Sequence, residues 1–225
     1  MKKHRFLIFA VISLSVMLAI SGCSGNSDSG TSQDKGNNNN QGTQQKEESI
    51  FNGHEYVDLG LPSGTKWATC NVGATSPKEY GDYFAWGETK PKNTYTVETY
   101  MYFSDPATLP STADAATANW GAGWRMPTEV EWEELKSKCK WTWMSNGYKV
   151  VGPNGNGFFL PAAGYRRDSD LNYAGSDGYY WSSSLHADGP GNAWYLYFNS
   201  GYYGMYGSGR FVGQSVRPVC VSAQK

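Results

Sequence analysis

The stretch with the most chemical capacity in this chain runs from Leu171 to Val219, where tyrosines alternate with Gly, Ser, Asn and Asp and almost nothing is charged. Tyr supplies wide contact area at low entropic cost, and the small polar residues adapt their hydrogen bonds to a partner, as on antibody loops. That vocabulary favours recognition over catalysis. Asp168-Ser169-Asp170-Leu171-Asn172 opens like a calcium loop, but Tyr173 stands where an EF-hand needs Gly and Tyr179 where it needs Glu, which leaves a polar loop as the default reading. The glycines from Gly201 to Gly213 do not make a dinucleotide fingerprint between a strand and a helix. Only three His occur, His4, His54 and His186, so a multi-histidine zinc site is nearly excluded. No cofactor or metal is expected, and no residue is assigned a catalytic role.

The cysteines speak for location more than for reactivity. Lys2, Lys3 and Arg5 precede an apolar run from Phe6 to Ile20, which ends in Ser21-Gly22-Cys23, the pattern of a secretory signal over residues 1–22. Its ending resembles the bacterial lipobox, which implies acylation of Cys23, and more than one chain gives stable anchoring. The tether from Cys23 to residue 49 contains almost no apolar residue and cannot offset the cost of ordering. A coil of about 25 residues spans roughly 25–30 Å, enough to lift a domain off a membrane. Cys70, Cys139 and Cys220 follow, and a secreted context permits one disulfide with one thiol left over, or none.

Residues 50–225 then form one domain. A formal net charge of −1 gives no reason to expect nucleic acid or an anionic surface as partner. Nine Trp, sixteen Tyr and 27 Gly favour many short strands over a helical bundle. Short strands are expected at Tyr56–Leu59, Thr65–Val72 and Asp82–Trp86, and a long surface loop at 89–110. Ser76-Pro77-Lys78-Glu79 has the signature of a helical turn. Thr128-Glu129-Val130-Glu131 is a second capping box and opens the best helix, with Trp132, Leu135 and Cys139 on one side and the glutamates on a solvated face. Tyr148–Val151 and Phe158–Leu160 read as a hairpin. In the strand Ala193–Asn199, Trp194, Leu196 and Phe198 share an inward face, and Tyr195, Tyr197 and Asn199 an outward one. Tyr202, Gly204 and Tyr206 repeat this outward pattern on the next strand, which makes a platform of exposed aromatics, the usual mark of an interaction site.

Several segments together resemble the Fibrobacter succinogenes major paralogous domain, common in lipoproteins of the Bacteroidetes: Tyr56-Val57-Asp58-Leu59-Gly60-Leu61-Pro62-Ser63-Gly64, Gly81-Asp82-Tyr83-Phe84-Ala85-Trp86, Gly123-Trp124-Arg125-Met126-Pro127-Thr128 and Ser215-Val216-Arg217-Pro218-Val219-Cys220. Arg125 to Trp132 is also similar to a segment of formylglycine-generating enzymes. Both resemblances imply an α+β, C-type lectin-like fold with short antiparallel strands, two helices and long loops. The enzyme resemblance would require a pair of cysteines near the end of the domain, where only Cys220 stands, so that activity is not carried over. The calcium-dependent sugar motifs of animal lectins are absent as well, and sugar binding does not follow from a fold name.

The family resemblance also bears on the tyrosine-rich stretch. Members that are targets of diversity-generating retroelements are rewritten at adenines in a C-terminal region, here residues 171–213. Tyr173, Asp177, Tyr179, His186, Asp188, Tyr195, Tyr197, Tyr202, Tyr206, Ser208 and Phe211 are residues that Asn codons can become, and they are the candidate ligand contacts. Trp181, Trp194, Leu196, Phe198 and Arg217 look like fixed scaffold. What the resemblance implies is a binding protein that is not an enzyme, held in the outer membrane or at the cell surface, with a protein or cell-surface glycan as ligand. A structural envelope lipoprotein without a specific ligand is the alternative. Oligomeric state is not legible.

Overall fold

The computed structural model describes residues 49–220. The expected signal, Cys23 and the tether up to residue 48 lie outside the described residues. Short strands dominate: β1 (Ile50–Phe51), β2 (His54–Asp58), β3 (Lys66–Ala68) and β4 (Tyr83–Phe84) come first. After a long irregular stretch, a 3-10 turn at Ser111–Ala113 leads to α1 (Ala115–Trp120), β5 (Trp124–Arg125) and α2 (Glu129–Lys138). The strands β6 (Lys140–Met144), β7 (Gly147–Val151) and β8 (Gly157–Pro161) form a meander, followed by the hairpin β9 (Tyr165–Arg167) and β10 (Asp170–Asn172). Then come β11 (Gly178–Leu185), β12 (Asn192–Asn199), β13 (Tyr202–Gly209), β14 (Gln214–Ser215) and β15 (Val219–Cys220).

Two five-stranded sheets organise the molecule, one in the order β1-β2-β3-β15-β5 and the other β13-β12-β11-β14-β4. Among the described residues every strand pair is antiparallel except β11 with β14. Among the described residues the architecture is mostly antiparallel sheet with two short helices, in keeping with the α+β expectation. No helix among the described residues is long and apolar enough to cross a membrane.

The two helices are not the two that the capping signals announced. Thr128 does cap α2: its hydroxyl accepts from the Glu131 amide, and the Glu131 carboxylate accepts from the Thr128 amide. At Ser76, by contrast, only a turn forms. Glu79 reaches back to the amides of Thr75 and Ser76, but no apolar period follows to bury a helix. The second helix is α1, capped by Asp114, whose two carboxylate oxygens accept from the Thr117 and Met126 amides. A further correction concerns the glutamates of α2. Glu131 is buried, not solvated, and forms a two-pronged ion pair with Arg125, both contacts at 2.6 Å.

The core lies on both sides of the second sheet. On one side Tyr180, Leu196 and Phe198 pack with Trp67, Trp132 and Leu135. On the other, Trp181 and Ala193 join Phe84, Trp86 and Trp124. Gly178 is required here for close approach, because a Cβ at this position would lie 2.0 Å from the Phe198 ring. Arg217 is fully buried as expected of scaffold, and donates to the carbonyls of Ala68, Thr69 and Phe159 and to the Asn71 side chain. Burial pushes its guanidinium down to about 10. Trp194 departs from expectation: it is half-buried opposite the bulge in β11, with the His186 ring 4.1 Å away. Cys70, Cys139 and Cys220 are all free thiols.

Candidate functional site: a tyrosine face on the second sheet

Register fixes which side chains meet. β12 pairs with β13 so that Tyr195 faces Tyr206, Tyr197 faces Gly204 and Asn199 faces Tyr202. β11 pairs with β12 so that Tyr179 faces Tyr197 and Trp181 faces Tyr195. Since side chains alternate across a strand, these residues share one face. Their rings form a continuous array: Tyr179 lies 5.2 Å from Tyr197 and 5.8 Å from Tyr195, the latter nearly parallel at 11°. Tyr206 continues it, 6.0 Å from Tyr197 and 6.3 Å from Tyr202. Tyr165, on β9, closes the other end against Tyr179 at 4.8 Å.

The face is graded from dry to wet. Trp181 and Ala193 are fully buried at one end, Tyr179, Tyr195 and Tyr197 are half-buried, and Tyr202 and Tyr206 are 48% and 43% exposed. Gly204 leaves room for the Tyr202 hydroxyl, which a Cβ there would meet at 2.4 Å. At the wet end the polar atoms are already engaged with one another. Asn199 donates to the Tyr197 hydroxyl (2.9 Å), which donates to Asp177 (2.7 Å), and the Tyr206 hydroxyl donates to that of Tyr202 (2.9 Å).

Burial raises the phenols of Tyr179 and Tyr195, the latter to about 12. Tyr197 is raised by burial and then by its bond to Asp177, and Tyr206 chiefly by its bond to Tyr202. At neutral pH the face is therefore a row of uncharged O–H groups on aromatic rings. That arrangement can stack on apolar faces and exchange hydrogen bonds.

The candidate residues divide between places. Tyr179, Tyr195, Tyr197, Tyr202, Tyr206 and Ser208 share this face, and Asp177 joins it through Tyr197. Tyr173, with a left-handed φ of 57°, stacks on Tyr165 at the margin. His186 is elsewhere: it sits against Trp194 and beside Gly207, which alternate with the tyrosines and so point to the opposite side. Asp188 lies in the β11–β12 loop, and its amide donates to His186. Phe211 is half-buried under the Arg167 guanidinium at 5.8 Å.

Several participants were not anticipated. Tyr165 precedes the stretch that composition singled out. Arg210, at the end of β13, donates to Tyr100, Asp105 and the carbonyls of Tyr102, Ser104 and Pro190, and lies 4.8 Å above Trp86. It thereby fastens the irregular 100–105 segment beside the sheet. Gln214 is the third. In the parallel pairing Ser215 sits opposite Tyr180, which puts Gln214 beside Tyr179 on the tyrosine side. A cleft of about 220 Å³ opens there, lined by Tyr165, Arg167, Tyr179, Tyr195, Ser208, Val212 and Gln214. Gln214 is 1% exposed, and neither its carboxamide nitrogen nor its oxygen has a hydrogen-bond partner among the described residues. An orphaned buried polar group costs on the order of 1–3 kcal/mol.

A family model described as a domain of unknown function, DUF8237, matches residues 143–219, from the end of β6 to the start of β15, a span that contains the whole tyrosine face. No curated protein and no solved structure matches the chain.

Proposed function

We propose that this chain is a lipid-anchored cell-envelope protein that binds a protein or cell-surface glycan through the tyrosine face, and that it acts by recognition and not by catalysis. In this reading the described domain is a C-type lectin-like scaffold of the Fibrobacter succinogenes major paralogous type, Cys23 carries the anchor, and the outer residues are rewritten by a retroelement. The observation that carries the proposal is the array itself: phenol rings side by side along one face of the sheet, running from a buried end at Trp181 and Ala193 to a wet end at Tyr202 and Tyr206. Exposed aromatic patches of this kind mark interaction sites, and Tyr is enriched where single residues dominate binding energy.

The test is binding of the fluorescently labelled chain to a panel of bacterial and host cell surfaces. Tyr197→Ala with Tyr206→Ala should cost at least tenfold in affinity while the melting temperature moves little. Tyr195 is the poorer choice, because its ring packs 6.2 Å from Trp181 and its loss would disturb the core. Unchanged binding by the double variant would contradict the proposal. The genetic element has its own test, a near-identical repeat downstream of the gene that differs only at adenines.

A further inference from the structure

We propose that the cleft between Tyr165, Tyr179, Tyr195 and Gln214 is a sugar subsite, which takes one pyranose ring by direct hydrogen bonds. The inference rests on the binding role of the tyrosine face and names the chemistry it reads at its drier end. Four observations converge on it. The volume, about 220 Å³, suits a single ring and is too small for an extended peptide. The Gln214 carboxamide is buried with one donor group and one acceptor unpaired, side by side, which matches the donor–acceptor pair of vicinal hydroxyls.

The walls supply the third. Tyr197, Tyr202 and Tyr206 have their hydroxyls engaged, whereas no hydrogen bond among the described residues acts on the phenols of Tyr179 and Tyr195. Together with the Ser208 hydroxyl and the Arg167 guanidinium, the cleft concentrates the unspent hydrogen-bonding capacity of the whole face. A carboxamide from a protein partner would answer Gln214 but leave these hydroxyls unused, and a polyhydroxylated ring answers both. Fourth, aromatic rings frame the opening, and the apolar C–H face of a pyranose packs on such rings. No carboxylate lines the cleft, so recognition is direct and needs no bridging cation. Gln214 lines the cleft but its carboxamide atoms are closed off from water, so direct bonding requires one of the half-buried lining rings to turn aside on ligand entry.

The experiment follows the side-chain NH2 signals of Gln214 in the 15N-labelled full chain, assigned by their loss in Gln214→Leu. The probes are methyl β-glucopyranoside, methyl β-galactopyranoside, methyl N-acetylglucosaminide and, as the amide control, N-acetyl-asparagine methylamide. At least one glycoside should shift the Gln214 signals saturably. Q214L should weaken that glycoside tenfold or more while the denaturation midpoint holds or rises, since an orphaned polar group has been replaced by an apolar one. A purely structural Gln214 would instead give a lower midpoint in Q214L. No shift with any glycoside, a shift with the amide alone, or equal affinity in Q214L overturns the subsite. If that happens while Tyr197→Ala with Tyr206→Ala still abolishes cell-surface binding, the binding face stands and only the sugar assignment falls.

Discussion

The two faces of the β11–β12–β13 sheet are built from similar residues and do different work. On the inner face Tyr180 and Phe198 stack at 5.8 Å, Trp132 approaches Tyr180 at 6.1 Å, and all three are fully buried. On the outer face Tyr179, Tyr195, Tyr197 and Tyr206 make ring contacts of the same length, yet retain water access. The difference is in what the hydroxyls do. Inside, Tyr180 donates to the Pro161 carbonyl at 2.6 Å and accepts from Asn71, so its ring is pinned by distant chain. Outside, the hydroxyls bond to one another, to Asp177 and Asn199, or to nothing. Aromatic content alone therefore does not tell scaffold from surface. The identity of the hydrogen-bond partner does.

Substitutions can break this contrast, and the largest effect belongs behind the inner face. Arg217→Met strands three carbonyls and the Asn71 side chain and should cost about 3–5 kcal/mol in urea denaturation, or prevent folding. Phe198→Ala follows, at about 3–5 kcal/mol from lost burial and the cavity left. Gly178→Ala drives a methyl into that same ring and should cost about 1–3 kcal/mol.

Alkaline titration probes the outer face. The folded Tyr195 phenol, at about 12, is above its unfolded value, so its contribution is full below the unfolded value and is lost as pH rises toward 12. Wild-type stability should fall between pH 10 and 12 by on the order of 1 kcal/mol more than that of Tyr195→Phe, after discounting for solvent screening. The smallest effect is expected at Tyr206→Phe, within about 0.5 kcal/mol. A larger loss at Tyr206 than at Phe198 would invert the contrast.

Local signals carried part of this structure. Alternation along Ala193–Asn199 assigns Leu196 and Phe198 inward and Tyr195 and Tyr197 outward, because a half-buried strand leaves a period of two in its own sequence. The same rule misplaces Trp194, since it says nothing of a bulge in the neighbouring strand. The Thr128 box announces α2 because an apolar period follows it, and the Ser76 box announces nothing because none does. α1 has six residues and no period to read. Glu131 looked solvated because its partner, Arg125, lies on a separate strand. Gln214 gave no signal at all. Its position depends on a two-residue strand paired in parallel with β11, a non-local fact, and an unsatisfied side chain leaves no trace in sequence. Tyrosine content pointed to a face, while the cleft in it comes from topology.

The central claim is that the outer set can change without harming the fold and the inner set cannot. Two displayed libraries of the chain test it, one randomised at Tyr197, Tyr202, Tyr206 and Ser208, the other at Tyr180, Leu196 and Phe198, each scored by the fraction of members that resist protease. Most of the first library should survive at wild-type protease concentrations and nearly all of the second should be cut. Equal loss in the two would mean that the tyrosines are scaffold, and the account of this face would be contradicted.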